Sequence, residues 1–241
     1  MAPGLSLPRH RHRAGYATVV LAGSFVEASF AGRFEVEPGD VLLHGRFDCH
    51  QNLGKSQRGP QILRLPWDDD TCEGRFRIRD PDRLARVAEL DPIAAMRELK
   101  AQLSRIDSPS EAHWCECLAA DLVAQPGLNL DAWSESAQLA PETVSRGFRR
   151  VFGASPRTFR CEARTRRAWR EVVSCGRPLT TIAHQEGFAD LAHMSRSIHA
   201  FTGSTPTFWR NLALLRSSTF KPPEIPADSL PLRNVTMRIA S

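Results

Sequence analysis

One residue pattern occurs twice, fifty positions apart, and this duplication limits the fold more than any other feature of the chain. Ser145-Arg146, Phe148, Gly153, Ser155-Pro156, Phe159 and Arg160 precede Ser195-Arg196, Ile198, Gly203, Thr205-Pro206, Trp209 and Arg210 by the same offset. A solenoid needs about three repeats to bury a continuous core, so two copies fit a tandem pair of binding units better.

The downstream copy, IAHQEGFADLAHMSRSIHAFTGSTPTFWR from Ile182 to Arg210, predicts a helix, a turn at Gly187, and a second helix opened by Asp190 and closed at Gly203. On that second helix Met194, Ile198 and Phe201 recur at helical steps as one apolar stripe, and Ala192, Ser195, Arg196 and His199 fall opposite. One face packs and the other is free to touch a partner. In the upstream copy LDAWSESAQ predicts a helix from Asn129, Leu139-Ala140 a turn, and Pro141 the start of a second helix. There Val144, Phe148 and either Val151 or Phe152 face inward, while Glu142, Ser145, Arg146 and Arg149 face outward. Gly153 ends this helix, and Ser155-Pro156 opens a long one, PRTFRCEARTRRAWREVVS, that runs to about Ser174 and joins the copies. Such a linker spans roughly 28 Å at about 1.5 Å per residue. That is near the roughly 34 Å between successive major-groove faces of B-DNA, so it suits two helices lying in adjacent grooves on one side of a duplex.

Charge is partitioned in the same way. From Pro126 to Arg216, thirteen arginines and no lysine stand against seven acids, a net +6 in a chain whose total is +5. The basic excess therefore sits with the repeated unit, which points to a polyanionic partner. At 241 residues, 41% of them apolar, there is room for two domains. No apolar run approaches the ~20 residues of a membrane span, and MAPGLSLPRHRHR has no apolar segment behind its basic residues, so a cytoplasmic location without a membrane partner is expected. The six cysteines, Cys49, Cys72, Cys115, Cys117, Cys161 and Cys175, are spread through a chain too large to need staples and are expected as reduced thiols. Cys115 and Cys117 on one helix would diverge by about 200°, which favours a packing role over a redox or metal one.

Upstream of the repeat the chain changes character. YATVVLAG, SFVEASF, GRFEV, GDVLLHG and QILRLPW, all before residue 68, are short β-prone runs separated by turn residues, predicting a small sheet or barrel. Gln51 to Pro60 is expected as a loop. Between Asp82 and Ile106 the period becomes helical, with Leu84, Val87 and Ala88, a break at Asp91-Pro92, then Met96, Leu99, Leu103 and Ile106. These stripes suit either a seam between two copies of the chain or a cap on the sheet. A further helix is expected from about Pro109 to Ala124, stopped by Pro126-Gly127. The Pro-rich last 25 residues lack periodicity and are expected to be disordered.

The pattern IAxxxGFxDxxxxSRxxxxFxGxxPxxxR, as it stands at Ile182 to Arg210, resembles the hallmark of AraC/XylS-type transcription regulators, and its offset copy supports the likeness. The resemblance implies an α+β protein: a β domain over residues 1–80, a helical connector over 81–107 with a possible dimerisation role, an all-α domain with two helix-turn-helix units over 108–216, and a tail over 217–241. It implies that each second helix lies in a major groove. Carried over by position, the base-facing residues are Glu142, Ser145 and Arg146 in the first unit and Leu191, Ala192, Ser195 and Arg196 in the second. Arg146 and Arg196 stand out, because a guanidinium bonds guanine bidentately. Arg149, Arg150 and His199 are expected at phosphates, and the linker arginines Arg164, Arg166 and Arg167 as solvated charges. Three residues depart from the family pattern: Ala140 at a helix cap, Gly147 in mid-helix and Ser134 where the family has Ala. They make the first unit the softer one, to be ordered on DNA.

The N-terminal region is similar to a cupin, with Gly4, His10 and His12 matching its first motif, Tyr16 in place of the usual Glu ligand, Gly23 following, and Gly39, Gly45 and His50 matching its second. The resemblance implies a sensor domain for a small molecule or a metal, with His10, His12 and His50 as ligands. With Tyr16 replacing an acid, zinc or copper is favoured over iron or manganese. The expected partners are double-stranded DNA, RNA polymerase if the protein activates, an effector, and a second copy of the chain as a homodimer. The alternative is a cupin-type metalloprotein or metalloenzyme carrying a DNA-binding domain. No acid–base partner is evident near the histidines, so no enzymatic activity is expected.

Overall fold

A computed structural model describes residues 6–54, 59–106 and 113–218. Gly4, the expected start of a helix at Pro109, and the chain beyond Ser218 lie outside the described residues. The chain forms two compact units, the first taking in residues up to Glu116 and the second nearly all of those from Cys117 on.

The first unit is built from strands β1 (Leu7–Arg11), β2 (Tyr16–Ala22), β3 (Phe25–Ser29), β4 (Gly32–Val36), β5 (Asp40–His44), β6 (Cys49–Gly54), β7 (Gln61–Pro66) and β8 (Gly74–Arg77), helices α1 (Pro81–Leu90) and α2 (Pro92–Gln102), and the short strand β9 (Ser104–Arg105). They pair as two antiparallel sheets, in the orders β1-β6-β3-β4 and β7-β2-β5-β8-β9. Strand β2 is apolar on both faces because both are covered. Val20 packs with Leu42 against Phe25, Phe34 and Val36 of the other sheet. Ala17 and Val19, with Val41, Leu43, Leu65, Trp67 and Phe76, face Leu84, Ala88, Ala95 and Leu99 of the two helices. Side chains two apart along a strand share a face, so β2 serves two cores at once.

One alternative is resolved here and one expectation is corrected. The apolar stripe on α1 and α2 is covered by the sheet, with Leu99 fully buried and Val87, Met96 and Leu103 packed at its margin, so of the two arrangements the stripes suit, the cap on the sheet is the one present. Leu90 and Ile93, at the corner between the helices, are the ones left exposed. The stretch expected as a loop from Gln51 begins inside β6, which pairs with β1 on one side and β3 on the other; its polar side chains obscure a central strand.

The second unit is helical: α3 (Trp114–Ala124), α4 (Leu130–Ser136), α5 (Pro141–Phe152), α6 (Pro156–Ser174), α7 (Leu179–Gln185), α8 (Leu191–Thr202) and α9 (Pro206–Ser218). Pro141, Pro156 and Pro206 each stand at a first helical position, where the missing N–H costs nothing. The long helix α6 packs against α7, α8 and α9 and buries Phe159, Ala163, Ala168, Trp169 and Val172. Among the described residues no helix is long and apolar enough to cross a membrane.

Candidate functional sites

Two helix-turn-helix units are present, α4–α5 and α7–α8, and the backbone hydrogen bonds that close their first helices match. In the first turn Gln138 N–H donates to the Glu135 carbonyl and Leu139 N–H to that of Ser134; in the second, Gly187 N–H donates to His184 and Phe188 N–H to Ala183. The left-handed position that Gly187 takes at φ 73° is taken by Gln138 at φ 54°. The equivalence therefore runs at an offset of 49 through the first helices and 50 through the second, because the downstream turn is one residue longer.

On α5, Val144, Phe148 and Phe152 are buried, which settles the inward position on Phe152. Glu142, Ser145, Arg146, Arg149 and Arg150 are exposed. On α8, Met194, Ile198 and Phe201 are buried, while Ala192, Arg196 and His199 are exposed and Leu191 and Ser195 half-buried. Each unit thus presents an arginine-bearing helix face to solvent, as a groove-reading helix must. The linker arginines behave differently from expectation. Arg164 donates to the Gly187 carbonyl at 2.9 Å and lies over the Phe188 ring, Arg167 bonds Glu186 at 3.1 Å and the Val123 carbonyl, and Arg166 is buried. Arg164 and Arg167 tie α6 to neighbouring segments and Arg166 is buried, so none of the three is a freely solvated charge.

A second constellation lies in the first unit, at one end of the space between the sheets. The register sets His10 opposite His50 in one sheet and Tyr16 opposite His44 in the other. The rings form a continuous cluster: His10 to His50 at 4.4 Å between centroids, His10 to His12 at 4.9 Å, Tyr16 to His44 at 4.5 Å and His44 to His50 at 4.7 Å. The predicted His10, His12 and His50 do converge, with one ligand atom of each within 4.8 Å of the others. Glu27, His44 and Asp48 were not expected and belong to the same cluster. The spacing His44-x3-Asp48-x-His50, on a strand end where Leu42 and His44 share the inner face, is the signal that the sequence offers.

Tyr16 Oη is hydrogen-bonded to His50 Nε2 at 3.1 Å, and His44 Nδ1 donates to Asp48 Oδ2 at 2.9 Å. Burial, then the Arg64 guanidinium, pulls the His12 pKa down to about 4, and burial, then the charge on His44, pulls that of His50 to about 2. Both rings are therefore neutral at pH 7, with a lone pair to offer. Burial raises Glu27 to about 7. Burial also works against a charged His44, but Glu27 and Asp48 flank it and outweigh that, so its pKa is raised. Burial, then Glu27, holds the Tyr16 phenol well above its ordinary range. Buried His12 Nε2 and His50 Nδ1 have no hydrogen-bond partner, so the donor set suits a transition-metal ion, with neutral imidazole nitrogens aimed inward.

Residues 133–212 match the family model described as a helix-turn-helix domain. Those residues are a helix-turn-helix domain of the AraC type. Domains of this type are DNA-binding modules of transcription regulators. No curated protein sequence matches the chain. Among solved structures the chain is similar to the C-terminal domain of AraT, a response regulator from Geobacillus stearothermophilus, at 18% identity over 43% of this chain and 88% of that one, with a TM-score of 0.40. It is similar to the DNA-binding domain of AdpA, a global transcriptional factor solved with a target DNA, at 18% identity over 45% and 99% with a TM-score of 0.41. It is also similar to an apo ToxT variant from Vibrio cholerae, at 9% identity over 88% and 95% with a TM-score of 0.40.

Within the AraC-type domain the two reading helices begin differently. Asp190 caps α8, its carboxylate accepting from His193 N–H at 2.6 Å. At the equivalent point of α5, Ala140 offers only its backbone carbonyl, to Thr143 and Val144. Ala140→Ser is expected to supply the missing acceptor and stabilise the domain by about 1 kcal/mol, measured as a higher urea midpoint with an unchanged slope; a midpoint that does not move would show the turn already satisfied. Ser134, the other departure in this unit, is buried and donates its hydroxyl to the Asp131 carbonyl, so its polarity is met within α4.

Proposed function

We propose that this protein is a sequence-specific transcription regulator of the AraC/XylS type, acting in the cytoplasm on double-stranded DNA, with an N-terminal cupin-like unit that senses a small molecule or metal. The observation that supports it best is the pair of equivalent helix faces, on α5 and α8, each exposing arginine beside small or polar residues. In this reading Glu142, Ser145, Arg146, Leu191, Ala192, Ser195 and Arg196 meet base edges, and Arg149, Arg150 and His199 meet phosphates. In this reading the N-terminal unit acts as a sensor and not as an enzyme, through the cluster of His10, His12 and His50. A homodimer and, for activation, RNA polymerase complete the partners.

The test is duplex binding by the full chain at sites mapped across a genome. Arg196→Ala is expected to weaken the cognate site by roughly 1–3 kcal/mol and to relax preference at one base pair, because a bidentate guanine contact is lost. Arg149→Ala is expected to weaken all sequences alike and to lower the salt slope by about one unit, as a lost phosphate contact does. Equal losses on cognate and random DNA would move Arg196 into the phosphate class, and no duplex binding at all would end the reading.

A further inference from the structure

We propose that His44, Asp48 and His50 form a seat for one divalent transition-metal ion inside the first unit, deeper than the His10, His12 and His50 group that the cupin resemblance implies. The role assigned to that ion, though not its geometry, rests on the reading of this unit as a sensor.

All three residues are buried, and one ligand atom of each lies within 4.8 Å of the others. His44 Nδ1 is 2.9 Å from Asp48 Oδ2, and His50 Nδ1 is 3.9 Å from the same oxygen. The first distance is a hydrogen bond, but the second is too long for one. Yet His50 is only 1% exposed and its Nδ1 has no hydrogen-bond partner. A buried ring nitrogen aimed at a buried carboxylate across such a gap is costly unless something bridges the two. Ligand atoms about 2.0–2.1 Å from one ion lie roughly 3–4 Å from each other, which is the spread of these distances.

The far side of each ring supplies the independent argument. His50 Nε2 is held by Tyr16 Oη at 3.1 Å, and His44 Nε2 faces the Glu27 carboxylate at 3.5 Å, an ion-pair approach without a hydrogen bond. Metal-ligating imidazoles are oriented in this way, by a carboxylate or another polar partner on the nitrogen that does not touch the ion. Both rings therefore turn Nδ1 toward Asp48. By contrast, His10 and His12 are only half-buried, and His10 Nδ1 is bonded to the Pro8 carbonyl. Two imidazoles and one carboxylate favour zinc, cobalt(II), nickel(II) or iron(II) over calcium or magnesium. On binding, His44 Nδ1 gives up its proton to solvent and the ion takes its place against Asp48. Further coordination positions are then open to an effector.

The probe is Co(II), added to metal-free full-length protein and followed by calorimetry and by its visible absorption. One equivalent is expected to bind. Asp48→Asn and His44→Gln should each weaken binding by more than the roughly 10–100-fold that loss of an orienting partner costs, and Tyr16→Phe and Glu27→Gln should fall within that range. His10→Ala should change it only a few-fold. Tyr16→Phe is the variant least able to disturb the fold, and it keeps the proposal exposed if Asp48→Asn unfolds. Binding lost on His10→Ala but kept on Asp48→Asn would place the ion in the outer group and overturn the proposal, as would unaltered protein that takes up no Co(II). A filled seat that leaves DNA affinity unmoved would uphold the seat and overturn the sensor reading.

Discussion

Leu99→Asp is expected to unfold the first unit, at a cost above about 4 kcal/mol, because it places an unpaired carboxylate in a core with no polar partner. Leu99 is fully buried among Ala17, Val41, Leu65, Trp67 and Leu84 in the layer between sheet and helices. Hydrogen exchange at the β2 and β5 amides reports the loss directly, and protection equal to that of the unaltered protein would show that the helix pair is not part of the core. Asp at Leu90 or Ile93, which are 90% and 70% exposed, provides the control: the melt should hold, and any change should appear in self-association. Were the stripe instead a seam between two copies of the chain, Asp at Leu99 and Leu103 would yield a folded monomer.

Trp169→Ala is expected to cost the AraC-type domain about 3–5 kcal/mol, the usual range for emptying a buried aromatic site. Trp169 is fully buried on α6 and meets Trp209 of α9 edge to face at 5.7 Å; Trp209 in turn donates to Thr202 Oγ1 at 2.7 Å, at the end of α8. One truncation thus loosens the support of the second reading helix at its C-terminal end. The urea midpoint should fall and affinity for any duplex should fall with it, while Trp169→Phe should retain most of both. An unchanged midpoint for Trp169→Ala would mean that α9 closes onto α6 without the ring.

The helical half was legible because its signals are local. Pro141, Pro156, Asp190 and Gly203 mark helix ends by their own chemistry, and Met194, Ile198 and Phe201 fix a face by spacing alone. The α+β division and the order of the elements follow from such marks. What stayed hidden depends on pairing partners. Strand β6, with the sequence CHQNLG, has no alternation to reveal it and is a strand because β1 and β3 flank it. The amphipathic helices α1 and α2 announce that one face is covered, but only the sheet shows by what. The candidate site divides in the same way. His10 and His12 stand out as a motif, whereas Glu27 joins them from another strand by register, and His44 does so because Tyr16 lies opposite it. The linker arginines looked like surface charge because composition counts guanidinium groups without the carbonyls that receive them.

Those arginines also bear on spacing. Helix α6 is a single 19-residue rod. Arg160 pins it to the Leu128 carbonyl at 2.7 Å, on the approach to the first helix-turn-helix, and Arg164 and Arg167 pin it to the turn of the second. A helix tied to both repeats does not adjust its length. Inserting one base pair between the two half-sites turns the second by about 36° and moves it about 3.4 Å along the axis, a shift that a continuous helix cannot follow. In the proposed reading, operators with altered gaps should therefore lose one of the two contacts even when every base in both half-sites is right, and the domain would gauge distance along DNA as well as read bases.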